Sequence, residues 1–208
     1  MSEAIVLATR NLGKVREFER LLAEYVQGVR VLGLADFPDM PDVEETGTTF
    51  IENSLLKARE VSAFAQLPAL ADDSGLCVDY LGGAPGIYSA RYSGVHGDDQ
   101  ANIEKLLREL AGVDLDSRTA HFTCSVACVF PEGDSRHGTE LIEQAELNGL
   151  IVSAPRGSAG FGYDPIFMPV GYELTLGEFG PGEKDAISHR GKAMRAIAPH
   201  ISALFTQS

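Results

Sequence analysis

Two adjacent carboxylates, Asp72 and Asp73, close an apolar run made by Leu67, Ala69, Leu70 and Ala71. Such a run reads as a buried strand, so the chain has to deliver two charges at a strand's exit. Open α/β sheets bind ligands there, outside the strand ends. Ser74 and Gly75 come next, and Gly82, Gly83, Pro85 and Gly86 then force irregular backbone before a second short run over residues 87–92. Two neighbouring aspartates suit a hard divalent cation such as Mg²⁺, or the activation of a water by one of them. The competing reading is an Asp-Ser-Gly turn whose carboxylates only cap backbone amides. The dense glycines around the pair favour a site.

The N-terminal part has the same organisation. A continuous apolar run over residues 4–8 predicts a buried first strand. It leads through Thr9, Arg10, Asn11, Leu12, Gly13 and Lys14 into a helix carrying Val15, Phe18, Leu22 and Tyr25 at helical spacing. Backbone N–H groups, a positive dipole end and an ammonium are thereby offered to an anion. An Asn-capped helix with a solvated Lys14 is the alternative; the position at a strand's end favours phosphate contact. The spacing is not that of a Walker A loop. A second short strand is expected over residues 29–32. After it comes an acidic loop with Pro38 and Pro41, ending in Glu44, Glu45, Thr46 and Gly47. Thr49 and Glu52 form a capping-box signature for a helix running to about Ala65. The carboxylates before it either compensate that helix's dipole or supply a second ligand for a metal near Asp73.

Downstream, Asp98 or Asp99 caps a helix ended by Gly112, and residues 118–130 alternate as a strand. A hairpin turn over 131–134 returns through 136–146, with a separate short strand at 149–152. The loop at 155–165 is the least ordinary: Phe161 and Tyr163 are held between glycines, with Gly162 and Asp164 beside them. Glycines let backbone approach a ligand closely, and an aromatic there can stack on a base. A final helix holds Lys184, His189 and Arg190 near its start and should bend or break at Pro199. Those three groups suggest a second anion or base-edge site, against the alternative of a solvated helix face. His121 and His137 read as strand-face residues.

With 208 residues and an apolar fraction of 44%, the chain can bury a real core as one domain or two tightly joined lobes. Its formal charge of -13 argues against a nucleic-acid polymer or an anionic membrane as partner. A small phosphorylated ligand is still compatible, since a few local cations reverse the sign of one cleft. No apolar run is long enough to span a membrane, and the N-terminus has no signal-peptide pattern. Cys77, Cys124 and Cys128 sit in apolar runs and read as buried thiols of a reducing cytoplasm.

Together, TRNLGK (9–14), EETGTTFIENSLLKA (44–58), ADDSGLCVDYLGGAPGIYSARYSG (71–94), PRGSAGFGYDPIF (155–167) and EKDAISHR (183–190) resemble the inosine/xanthosine triphosphate pyrophosphatase family. The segments occur in the family's order and span nearly the whole chain. The resemblance implies one domain over residues 1–208 with an α/β fold: an elongated mixed β-sheet with flanking helices, two lobes around a long central cleft, and a homodimer. It implies Mg²⁺-dependent hydrolysis of non-standard purine triphosphates (ITP, dITP, XTP) to the monophosphate and pyrophosphate in the cytoplasm. By position, Thr9, Arg10, Asn11, Leu12, Gly13 and Lys14 would hold the triphosphate. Asp73 would bind metal and accept the water's proton, with Glu44 a second metal ligand. Ser74 and Lys184 would touch substrate, and Phe161, Gly162, Tyr163, Asp164, His189 and Arg190 would form the base pocket. Arg10 stands where the family often has a small residue, and Ala145 where a glycine is expected. The rival readings are a pyrophosphatase for pyrimidine or modified-base triphosphates and a non-catalytic nucleotide-binding sensor.

Overall fold

A computed structural model describes residues 4–25 and 29–206. Among the described residues six strands form one mixed sheet: β1 (Ala4–Leu7), β2 (Arg30–Gly33), β3 (Ala69–Val78), β4 (Thr119–Val129), β5 (Glu140–Ile151) and β6 (Phe167–Pro169), in the order β2-β1-β3-β4-β5-β6. β1 runs parallel to both β2 and β3, with Ile5 opposite Val31 and Leu7 opposite Leu70. β5 and β6 are antiparallel. The helices are α1 (Leu12–Tyr25), α2 (Phe50–Ala65), α3 (Asp99–Glu109), α4 (Pro181–Ile187) and α5 (His189–Thr206). None of them is long and apolar enough to cross a membrane.

The chain divides into two compact units. The first comprises residues 1–73, 124–145 and 190–208, the second residues 74–123 and 146–189. In the first unit, strand alternation sorts the core into two layers, because successive side chains point to opposite faces. Ile5, Leu7, Leu70, Cys124, Val126 and Cys128 pack with Phe18 and Leu22 of α1 and Met194 and Ile197 of α5. Val6, Ala8, Ala69, Ala71, Ala127 and Val129 pack with Ala58 and Val61 of α2. Both faces are covered, which is why β1 reads as an unbroken apolar run rather than an alternating one. The second unit has its own core, in which Leu76, Val78, Ile103, Leu106, Phe122, Ile151, Ile166 and Phe167 meet.

Several elements differ from the sequence expectation. β3 does not stop at Asp72 but continues through Asp73, Ser74 and Gly75 to Val78. The two charges are tolerated inside a strand because cations from neighbouring helices meet them. Residues 140–151 form one strand rather than two. Gly149 lies inside that strand and serves close approach: a Cβ there would lie 2.5 Å from both the Met168 carbonyl oxygen and the Phe167 ring. The last helix breaks at Ser188, whose backbone is extended (φ -64°, ψ 153°), and α5 runs through Pro199. The capping box is present: Thr49 Oγ accepts from the Glu52 N–H and Glu52 accepts from the Thr49 N–H. Cys124 and Cys128 are buried and Cys77 half-buried, none of them in a disulfide.

Candidate active site

The position of Asp72 and Asp73 in β3 decides the geometry. Leu70 belongs to the α1/α5 layer and Ala69 and Ala71 to the α2 layer. By alternation, Asp72 falls on the first face and Asp73 on the second. Their partners agree. Lys14 Nζ lies 2.9 Å from Asp72 Oδ2, and Arg190 donates to the same oxygen from Nε and Nη2 at 3.3 Å. Arg190 Nη1 also donates to Glu17 Oε2. The group is nearly sealed, with side-chain exposures of 2% for Arg190, 1% for Asp72 and 7% for Glu17. Burial alone would raise the Asp72 pKa, but Lys14 and Arg190 outweigh it and hold the carboxyl well below the ordinary aspartate range. Burial likewise opposes the charge on Arg190, and Asp72 and Glu17 overcome it.

Asp73 faces α2. Asn53 Nδ2 donates to its Oδ2 at 3.1 Å, and Lys57 Nζ donates to its Oδ1 at 3.2 Å. The same ammonium lies 2.7 Å from Glu45 Oε1. Asn53 and Lys57 are four residues apart and share a helix face. The Asn53 amide is oriented by the Gly47 N–H, which donates to its Oδ1 at 2.8 Å. A Cβ at residue 47 would fall 2.6 Å from that oxygen, so glycine is required by the contact. Burial pushes the Asp73 pKa up, Lys57 pulls it down and Glu45 raises it again; the net direction is upward. For Lys57, burial is outweighed by Asp73 and Glu45, and the ammonium is held charged.

Residues 9–14 divide between two tasks. Asn11 Oδ1 accepts from the N–H groups of Gly13 (2.9 Å) and Lys14 (3.1 Å), so α1 is indeed Asn-capped. Lys14 is ion-paired rather than solvated. Arg10 is held by the acidic loop, donating to Asp42 Oδ1 at 2.9 Å and to the Met40 carbonyl at 2.6 Å. Thr9 is half-buried and Leu12 exposed. Glu44 is also exposed, whereas Glu45 is the acidic-loop residue that reaches the Lys57 ammonium.

The second unit carries the aromatic loop. Asp164 Oδ2 accepts from the Phe161 N–H at 2.8 Å and from Lys184 Nζ at 2.7 Å. That ammonium lies 4.8 Å from the centre of the Phe161 ring. A Cβ at residue 160 would sit 2.1 Å from Asp164 Oδ2, so Gly160 makes the arrangement possible. Tyr163 Oη donates to the Ser89 carbonyl at 2.9 Å, and Gly162 N–H donates to Asp99 Oδ2 at 2.7 Å. Asp98, not Asp99, caps α3, which leaves Asp99 for the loop. His189 stacks on Phe122, with centroids 4.6 Å apart and planes within 7°. Ser74 is half-buried in β3. Sequence reasoning missed Glu17, Asn53, Lys57 and Asp99. The signal for Asn53 and Lys57 was their shared helical face; Glu17 and Asp99 gave none.

Two carboxylates, from Glu45 and Asp73, thus converge on one cation. Among the described residues no group of three or more His, Cys, Asp and Glu gathers as a metal cage. Hard oxygen donors in so small a number fit Mg²⁺, which is held by one or two carboxylates together with substrate phosphates.

The Ham1 family model matches residues 5–200. The chain is 48% identical over 200 residues to a dITP/XTP pyrophosphatase of Streptomyces avermitilis, covering 96% of this chain and 98% of that protein. It is 52% identical over 193 residues to one from Geobacillus kaustophilus, covering 93% and 91%. The solved structure of a HAM1 protein from Coxiella burnetii is similar at a TM-score of 0.83 and 40% identity, covering 99% of this chain and 100% of that one.

Proposed function

This chain belongs to the Ham1 family, and from that premise we propose that it hydrolyses dITP, XTP and ITP to the monophosphate and pyrophosphate, clearing deaminated purines from the nucleotide pool. The observation that carries the reading is the buried Asp73 carboxylate, oriented by Asn53 and paired with the Lys57 ammonium, which it shares with Glu45. A pure binding module has no use for a carboxylate held this way, with its pKa displaced upward towards the range in which a general base works.

Asp73 accepts the proton of the water that attacks the α-phosphorus. Asp73 and Glu45, with Glu44 next to it in the chain, are the residues that would hold Mg²⁺, which would neutralise phosphate charge and polarise the phosphoryl oxygen. Lys14 and Lys57 add positive charge from the first unit. Gly13 and Lys14 have their N–H groups committed to Asn11, so the lysines rather than those two amides carry the anion binding. In the second unit the Phe161 ring offers a stacking face, and Lys184 and His189 offer donors suited to the C6 carbonyl of hypoxanthine or xanthine. Adenine presents an amino donor at that position and would leave donors unpaired. A homodimer in the cytoplasm is part of the same reading.

The test is incubation with ITP, dITP, XTP and ATP in the presence of Mg²⁺, with products separated by chromatography. Inosine monophosphate and pyrophosphate are expected from ITP. Release of the diphosphate and orthophosphate would refute attack at the α-phosphorus.

A further inference from the structure

Lys57 projects from the middle of α2 and is nearly buried, with 12% of its side chain exposed. Its ammonium is the shared partner of two carboxylates from different parts of the chain, Glu45 of the acidic loop at 2.7 Å and Asp73 of β3 at 3.2 Å. Asp73 keeps its orientation through Asn53 independently of this lysine, and Asp72 is served on the other face by Lys14 and Arg190. Lys57 is therefore not needed to aim Asp73. Its distinct contribution is a positive charge set between the two carboxylates that best suit a cation.

We propose that Lys57 is an internal counter-cation that competes with divalent metal for Glu45 and Asp73 and so sets the protein's metal affinity. This rests on the reading that those carboxylates hold the metal. With the ammonium in place the pair plus Lys57 carries one net negative charge, a weak attractant for a hydrated Mg²⁺ that gives up water reluctantly. Glu45 and Asp73 would have to release the ammonium to hold a metal ion. A triphosphate favours that exchange twice, by bringing further negative oxygens to the metal and by giving the displaced ammonium a new anionic partner. Metal and nucleotide consequently bind with positive coupling, each tightening the other by the same factor. The lysine keeps the carboxylates from holding a divalent ion firmly before substrate arrives.

The experiment is Mn²⁺ binding to the nucleotide-free protein, followed by loss of the free Mn²⁺ electron paramagnetic resonance signal at fixed ionic strength. Lys57→Met and Lys57→Gln should each bind Mn²⁺ at least tenfold more tightly than the unchanged protein, and Mn²⁺ should raise their Tm by more. Two variants of different polarity guard against one failing to fold, which circular dichroism reports. Affinity equal to or weaker than that of the unchanged protein in the folded variants overturns the proposal. The metal reading is tested separately, by Asp73→Asn in the nucleotide-free protein at Mn²⁺ concentrations that load the unchanged protein. If Mn²⁺ binding then survives at full strength, the carboxylates do not hold the metal and both readings fall. If it is lost while the Lys57 variants bind no more tightly, the counter-cation alone falls.

Discussion

Replacing Arg190 should cost stability before it costs specificity. The guanidinium has 2% of its side chain exposed and is directed at Asp72 and Glu17, themselves 1% and 7% exposed. Arg190→Met preserves most of the volume but leaves both carboxylates without that charge. Removing one member of a buried pair costs about 3–5 kcal/mol. Asp72 keeps Lys14 at 2.9 Å, so the lower end applies, about 3 kcal/mol or a fall in Tm of about 6–12 °C. The chain has no tryptophan, so urea unfolding is best followed by far-ultraviolet circular dichroism, comparing midpoints at constant m. Adding Glu17→Gln to Arg190→Met should return part of the loss, since one stranded charge is then neutral. A pH series gives a second signature. Asp72 is held below its unfolded pKa, so its contribution is present above about pH 4 and disappears as pH falls below that value. Without Arg190 the depression shrinks, and the acid slope of the stability curve should flatten. A midpoint within about 0.5 kcal/mol of the unchanged protein would refute the buried-network account. If turnover of dITP collapsed all the same, the guanidinium would have to turn towards substrate, as the family resemblance implies.

Two further substitutions separate chemistry from positioning. Asp73→Asn should lower kcat by at least ~10²-fold, since the amide cannot accept the water's proton, while thermal melting shows the fold retained; near-normal turnover would move the base role elsewhere. Asp99→Ala removes the acceptor for the Gly162 N–H and should raise KM about fivefold, the equivalent of one hydrogen bond of about 1 kcal/mol. Asp99→Asn keeps an acceptor oxygen and should stay near the unchanged value. A KM unmoved by Asp99→Ala would show that Tyr163 and Asp164 hold the loop without it.

Local signals in the sequence were reliable where local physics decides the outcome. Thr49 and Glu52 announce the start of α2 because both partners lie within one turn. The run at residues 4–8 announces a strand covered on both faces, and that burial is what the core contains. The site was legible as a set of residues but not as a wiring diagram. Asp72 and Asp73 look equivalent in sequence, and only the pleat of β3 assigns one to Arg190, 118 residues away, and the other to Lys57, 16 residues away. Glu17 carries no signal in the sequence, and it is 5% exposed because a guanidinium 173 residues further on meets it. Asp-Ser-Gly at residues 73–75 has turn composition, but pairing within a central strand overrides it. The same limit applies to Ser188, where the break between α4 and α5 precedes a histidine stacked on Phe122. No periodicity signals a stacking partner that distant.

The opposite facing of Asp72 and Asp73 implies that changes at adjacent codons would fail in different ways inside a cell. Loss of charge at Asp72 weakens a packed scaffold, and destabilisation of 1–2 kcal/mol is enough to lower abundance several-fold through proteolytic triage. Raised gene dosage or cooler growth would then recover activity, because each surviving molecule still works. Loss of charge at Asp73 leaves Asn53, Glu45 and Lys57 in place and abundance near normal, and the molecules that accumulate are idle. Extra copies of that gene would restore little.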